Sequence, residues 1–119
     1  MKNFDEIKLA KELISFPTIK TEDKGIMKFL SKKLSSIGFK CKIIKSKGMD
    51  SAHALNLFAK FGNSVPHINF LGHTDVVLNL NNWNFPPFKA VIKNGYLYGR
   101  GAQDMKGGIA CWISAVNKF

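Results

Sequence analysis

The sequence predicts an α/β fold, a mixed β-sheet flanked by helices. Three observations carry that expectation. Two amphipathic helical stripes precede residue 38, short apolar strand segments run from Phe39 to Tyr98, and one more helical stripe follows Lys106. A chain of 119 residues is one domain's worth and can bury a small core.

The first helix is expected to start at an Asn3 cap and to bury Phe4, Ile7, Ala10, Leu13 and Ile14, with Pro17 ending it. A second is expected to be capped near Thr21, with Glu22 and Asp23 in a first turn where the helix dipole favours acids. Its apolar stripe is Ile26, Phe29, Leu30, Leu34 and Ile37, and Gly38 suits the left-handed residue that closes a helix. Strands are then predicted at 39–45 and 54–61, the latter ended by Gly62-Asn63-Ser64 and Pro66. His67 to Leu71 is short and apolar, as a central strand would be. A loop from Gly72 to Val77 leads to the polar stretch Asn79–Asn84 and a rigid Phe85-Pro86-Pro87-Phe88 loop, in which Trp83 should pack. Asn94-Gly95 between 89–93 and 96–98 signals a tight hairpin. The last helix is expected over Lys106–Lys118, with Ile109, Trp112, Ile113 and Val116 facing the core. No following strand or closing glycine comes before Phe119, so the chain reads as truncated.

The net charge is +10, yet 17 of the 18 basic residues are lysines spread along the whole chain, and the sole arginine is Arg100. Bidentate base and phosphate recognition favours arginine, so the charge points away from nucleic acid and is compatible with a small anionic substrate. No apolar run approaches the roughly 20 residues that cross a bilayer, and the start of the chain lacks a signal-peptide core. The expectation is a cytoplasmic protein without a membrane partner. Cys41 and Cys111 are far apart and are expected to be free and mostly buried.

The chemistry concentrates in two stretches. In Gly72-His73-Thr74-Asp75-Val76-Val77, residues i and i+2 of an extended loop point the same way. His73 could bind a metal while Asp75 accepts its second ring N–H, an arrangement that fixes the tautomer. A structural histidine beside a turn aspartate is the ordinary alternative. In Tyr98-Gly99-Arg100-Gly101-Ala102-Gln103-Asp104-Met105-Lys106-Gly107-Gly108, Asp104 stands where a carboxylate could bridge two cations about 3.5–4 Å apart, or cap the following helix, or both. The G-x-G-x-x-D spacing lacks the third glycine of a dinucleotide loop, and Gly-Lys-Ser/Thr never occurs, so nucleotide binding is not indicated. His53 and His67 have no motif partners and are expected at the surface or at strand ends, not as ligands.

Together Gly-His-Thr-Asp-Val-Val, Trp-x-x-Pro-Pro-Phe and Asn-Gly-x-Leu-Tyr-Gly-Arg-Gly-Ala-x-Asp-Met-Lys-Gly resemble the di-zinc amidohydrolases and peptidases, a family that includes acetylornithine deacetylase, aminoacylase and several carboxypeptidases. The likeness runs from about Leu9 to Phe119 and is greatest to members that release succinate from an N-succinyl diamino acid. It implies that residues 1–119 are the N-terminal part of a zinc-peptidase-like catalytic domain, without the dimerisation domain. It also implies His73 as the ligand of one zinc, Asp104 as the bridge between two, Asp75 as the catalytic acid that orients His73, and a cis peptide at Asp104–Met105. Zinc, two ions per site with cobalt as a substitute, a small acyl-amino-acid substrate and a homodimeric parent follow from the same likeness. The family's Glu-Glu pair, a further acidic ligand and a late histidine have no counterpart in this chain. By itself it is therefore expected to be inactive. Another deacylase or peptidase specificity, or a non-catalytic remnant or complementing half, are the other readings.

Overall fold

The computed structural model describes residues 4–47, 53–78 and 80–119. Helix α1 is Glu6–Ile14, and its cap is Asp5, whose carboxylate accepts from the N–H groups of Ile7 at 2.9 Å and Lys8 at 3.1 Å. The expected cap, Asn3, lies outside the described residues. The buried stripe is Leu9, Ala10, Leu13 and Ile14, whereas Ile7 is half exposed in the first turn and borders an open groove with Lys89 and Ile92.

Helix α2, Ile26–Ser35, starts later than a cap near Thr21 would place it. The Thr18–Lys20 segment is committed to a parallel bridge between Ile19 and Val76, and the chain then turns at Lys20 (φ 56°) before the helix can begin. Asp23 does the capping, accepting from Gly25 N–H at 2.9 Å and Met27 N–H at 3.2 Å. Gly38 closes the helix as expected. At φ 97° its N–H reaches Ser35 C=O, and Phe39 N–H turns back to Leu34 C=O, both at 3.1 Å.

Strands β1 (Lys40–Lys47) and β2 (His53–Lys60) pair antiparallel, with Cys41 opposite Ala59 and Ile43 opposite Leu57. Cys41, Leu55, Leu57 and Ala59 pack on the core, while Ile44 and Phe58 stand exposed on the other face. His67–Leu71 is not a strand. No neighbour among the described residues takes its backbone groups in a ladder, and without one an apolar segment has nothing to lock it. Ile68 and Leu71 are 96% and 90% exposed, and only Phe70 finds cover, stacked on Trp112 with ring centres 4.9 Å apart.

The short strands β3 (Val91–Lys93) and β4 (Tyr96–Tyr98) form the expected hairpin, with Asn94 at φ 52° and Gly95 at φ 78°. Helix α3 is Gly107–Val116 and buries Ile109, Ala110, Ile113 and Ser114. Trp112 sits at the rim of the core, between Phe39 and Phe70. Cys111 is exposed on the outer face of α3 and Cys41 is only half-buried, so the expectation of mostly buried thiols fails; both are free. Helical period alone decides the exposure of Cys111, since its neighbours Ala110 and Ile113 take the inward face.

The core is where three helices meet: Leu9 and Leu13 of α1, Ile26, Leu30 and Leu34 of α2, and Ile109, Ala110 and Ile113 of α3. Ser114 pins α3 to the start of α1, its hydroxyl 2.9 Å from Phe4 C=O and 3.1 Å from Glu6 Oε2. Glu6's carboxyl is held below its usual 4.5, first by its own backbone N–H, then by Ser114 and by the Lys118 charge. A carboxyl with a lowered folded-state pKa adds stability above its unfolded value and loses it as pH falls through the folded value. Denaturation followed from pH 6 down to pH 3 should therefore show a fall below about pH 4.5 that Glu6→Gln reduces; an unchanged profile in the variant would refute the contribution. Among the described residues no helix is long and apolar enough to cross a membrane.

Candidate metal centre

Two loops meet beyond the C-terminal end of α1. In the first, Thr18 donates its hydroxyl to Thr74 C=O at 2.5 Å, and Val76 N–H donates to Thr18 C=O at 2.9 Å. Val76 is thereby buried, and His73 and Asp75, three and one places back along extended chain, face the opposite side together.

The second loop leaves β4 through Gly99-Arg100-Gly101. Arg100 N–H donates to Pro87 C=O at 2.6 Å, and its guanidinium lies over the Trp83 ring at 4.8 Å. Gly101 holds φ 81°, and a Cβ there would meet Val76 Cγ1 at 2.8 Å, so the two loops pack against each other only because this residue has no side chain. A wide turn, Ala102–Lys106, follows, closed by Lys106 N–H on Gly101 C=O at 2.9 Å. Inside it Asp104 is extended, at φ −119° and ψ 89°, and the Asp104–Met105 peptide is cis.

This turn aims Asp104 at His73. Nε2 of His73 is 3.0 Å from Asp104 Oδ1, while Nδ1 is 3.4 Å from Asp75 Oδ1 and 3.2 Å from Asp75 C=O. The imidazole thus lies between two carboxylates. A cap by Asp104 on α3 is not observed, because α3 has no side-chain cap bond and the extended residue points its carboxylate away from the helix. The three side chains are open to solvent, 46% exposed at His73, 62% at Asp75 and 82% at Asp104. A cleft of about 710 Å³, walled by Leu57, Phe70 and Trp112, runs up to His73 and Asp75.

The donor chemistry fits a divalent metal in part. Nε2 and Oδ1 converge on one side of the ring, and Asp75 lies behind it, positioned to take the other ring proton. Among the described residues no group of three or more His, Cys, Asp or Glu side chains is arranged to hold a metal ion. His53 and His67 are exposed and outside this cluster.

Two residues of the site went unnoticed in the sequence. Lys106 is fully buried, and its ammonium donates to Phe16 C=O at 2.7 Å; burial pushes its pKa down to about 8. Thr18 is 1% exposed. Lysine in the first turn of an expected helix reads as solvated, and a threonine after proline as a turn residue, so neither gave a signal.

Residues 69–119 match peptidase family M20/M25/M40. The chain is 51% identical to a succinyl-diaminopimelate desuccinylase of Pelagibacter ubique, over 100% of its own length and 32% of that protein's. The likeness to that family thus lies in residues 69–119, and the likeness to the desuccinylase runs the length of the chain. Desuccinylases of Ehrlichia chaffeensis (46% identical, covering 97% of this chain and 30% of that protein) and Anaplasma marginale (43%, covering 100% and 31%) are further relatives. The chain thus spans about a third of the length of the curated relatives it matches. The fold is also that of human carnosine dipeptidase 1, with a TM-score of 0.82 at 24% identity, covering 96% of this chain and 28% of that one. M20/M25/M40 enzymes are generally metal-dependent.

Proposed function

We propose that this chain supplies one part of the active site of a zinc-dependent succinyl-diaminopimelate desuccinylase. The observation that carries the reading is the convergence of His73 Nε2 and Asp104 Oδ1 at 3.0 Å, with Asp75 behind the ring. The desuccinylase relatives support the choice of substrate.

His73 offers an imidazole nitrogen and Asp104 a carboxylate oxygen, both suited to zinc. Asp75 keeps the His73 proton on Nδ1, leaving the Nε2 lone pair free to bind. Zinc, when bound, would polarise the scissile carbonyl and lower the pKa of the attacking water. Hydrolysis of N-succinyl-L,L-diaminopimelate cleaves the succinyl C–N bond, adds water across it, and yields succinate and diaminopimelate. The general base and the remaining ligands implied by the family resemblance are not among these 119 residues. The activity belongs to a polypeptide that carries them, in the same reading a cytoplasmic homodimer, and this chain alone binds zinc weakly and turns over nothing.

The test is a chimera in which this chain replaces the matching 121 residues of the Pelagibacter ubique relative. Zinc-dependent release of succinate from N-succinyl-L,L-diaminopimelate, above release of acetate from acetyl-amino acids, is the expected result. A folded chimera that prefers acetyl substrates would move the assignment to a sister deacylase. One that hydrolyses neither would sink the catalytic reading.

A further inference from the structure

Both loops of the metal centre hang from the same three residues. Phe16 C=O receives the Lys106 ammonium at 2.7 Å, from the loop that carries Asp104. Two residues on, Thr18 holds the His73–Asp75 loop at two points, through its hydroxyl on Thr74 C=O at 2.5 Å and its own C=O on Val76 N–H at 2.9 Å. Pro17 between them has a fixed φ and no N–H, which makes the short connection stiff. Leu13 and Ile14, fully buried just upstream, root it in the core.

We propose that Lys106 is a positioning residue of the metal centre, setting Asp104 against His73 by tying the Asp104 turn to the Phe16–Thr18 segment that also holds the His73 loop. The inference rests on the metal-site reading above and extends it to a residue that touches no metal. An apolar side chain of the same length would fill the space equally well. Placing a cation there, fully buried with a backbone carbonyl as its partner, brings a desolvation cost that a merely space-filling residue would not incur. What the ammonium adds over methyl is direction, since a hydrogen bond fixes where the stem and the turn above it lie. The stem runs under Gly101, where a Cβ would come within 3.3 Å of Lys106 Cδ, so a shift of Lys106 moves the turn directly.

The test uses the 119-residue chain with Co²⁺ or Zn²⁺ alone as the probe, titrated by calorimetry and by NMR shifts of the His73 ring, at a temperature where circular dichroism shows each variant folded. Lys106→Met should weaken metal binding by about 10-fold or more, in the range seen when groups that orient ligands are removed. Ile26→Val, a change in the α2 part of the core that lowers stability, should leave affinity unaltered. Should Lys106→Met not fold, Lys106→Gln, which is too short to reach Phe16 C=O, takes its place with the same expectation. Wild-type affinity in a folded Lys106 variant overturns the proposal, and so does an equal loss in Ile26→Val, which would mean that affinity merely follows stability. His73→Ala separates the two levels of inference. If it also binds metal like the wild type, the metal-site reading itself is what has failed.

Discussion

Asp104→Ala is expected to abolish zinc-dependent hydrolysis in the desuccinylase chimera, with a loss exceeding 100-fold in kcat/KM. Removing a group that only orients a ligand costs about 10–100-fold in metal affinity or activity, and removing a donor costs more. Asp104 is the carboxylate that the wide turn delivers to 3.0 Å from His73 Nε2, and no other acid among the described residues lies on that side of the ring. Its side chain is 82% exposed, so the substitution leaves no cavity, and the fold should survive. Asp75→Asn is the companion measurement. It removes the negative charge behind the ring, leaving only neutral acceptors there, and should fall within the 10–100-fold range, with weaker metal binding as the cause. Equal and mild effects of both changes, measured as kcat/KM with saturating zinc, would show that Asp104 is not a ligand.

Gly107→Ala should destabilise the chain by about 1–3 kcal/mol, the usual cost of forcing extra volume into a packed site. A Cβ on Gly107 would fall on the Ala102 carbonyl oxygen, which is backbone and also accepts the Gly107 N–H. The only relief is movement of the 102–106 turn, so metal affinity should drop together with stability. The adjacent Gly108 is the control. A Cβ there meets nothing within 4 Å, and alanine in a helix is favoured over glycine by roughly 0.5–1 kcal/mol. Urea denaturation of the two variants should thus shift the midpoint in opposite directions. Matching shifts would mean that the turn yields freely. Against a total stability of about 5–15 kcal/mol for a domain, the Gly107 loss is large.

Local chemistry was legible wherever one residue type has one use. Asn94-Gly95 announced its hairpin, Gly38 its helix end, and His73, Asp75 and Asp104 stood out because metal ligation draws on few side chains at restricted spacings. What escaped depends on distant neighbours. The α2 cap moved from Thr21 to Asp23 because Ile19 pairs with Val76, some fifty-odd places away along the chain. Apolar His67–Leu71 looked like a strand, but strand formation is a property of the ladder, and no partner among the described residues completes one. Cys111 gave the wrong burial because a small thiol carries little weight in the choice of helix face.

The sequence by itself determined the family motifs, the helices and hairpin, and the three side chains of the candidate metal centre. These follow from short-range periodicity and from residues few enough to be recognised. The tertiary structure alone decided that Asp104 faces His73 instead of capping α3, and that Lys106 and Thr18 hang both loops from one short connection after α1. Those outcomes depend on contacts between residues as much as 90 places apart, and the burial of a cation against a backbone carbonyl has no sequence pattern to announce it.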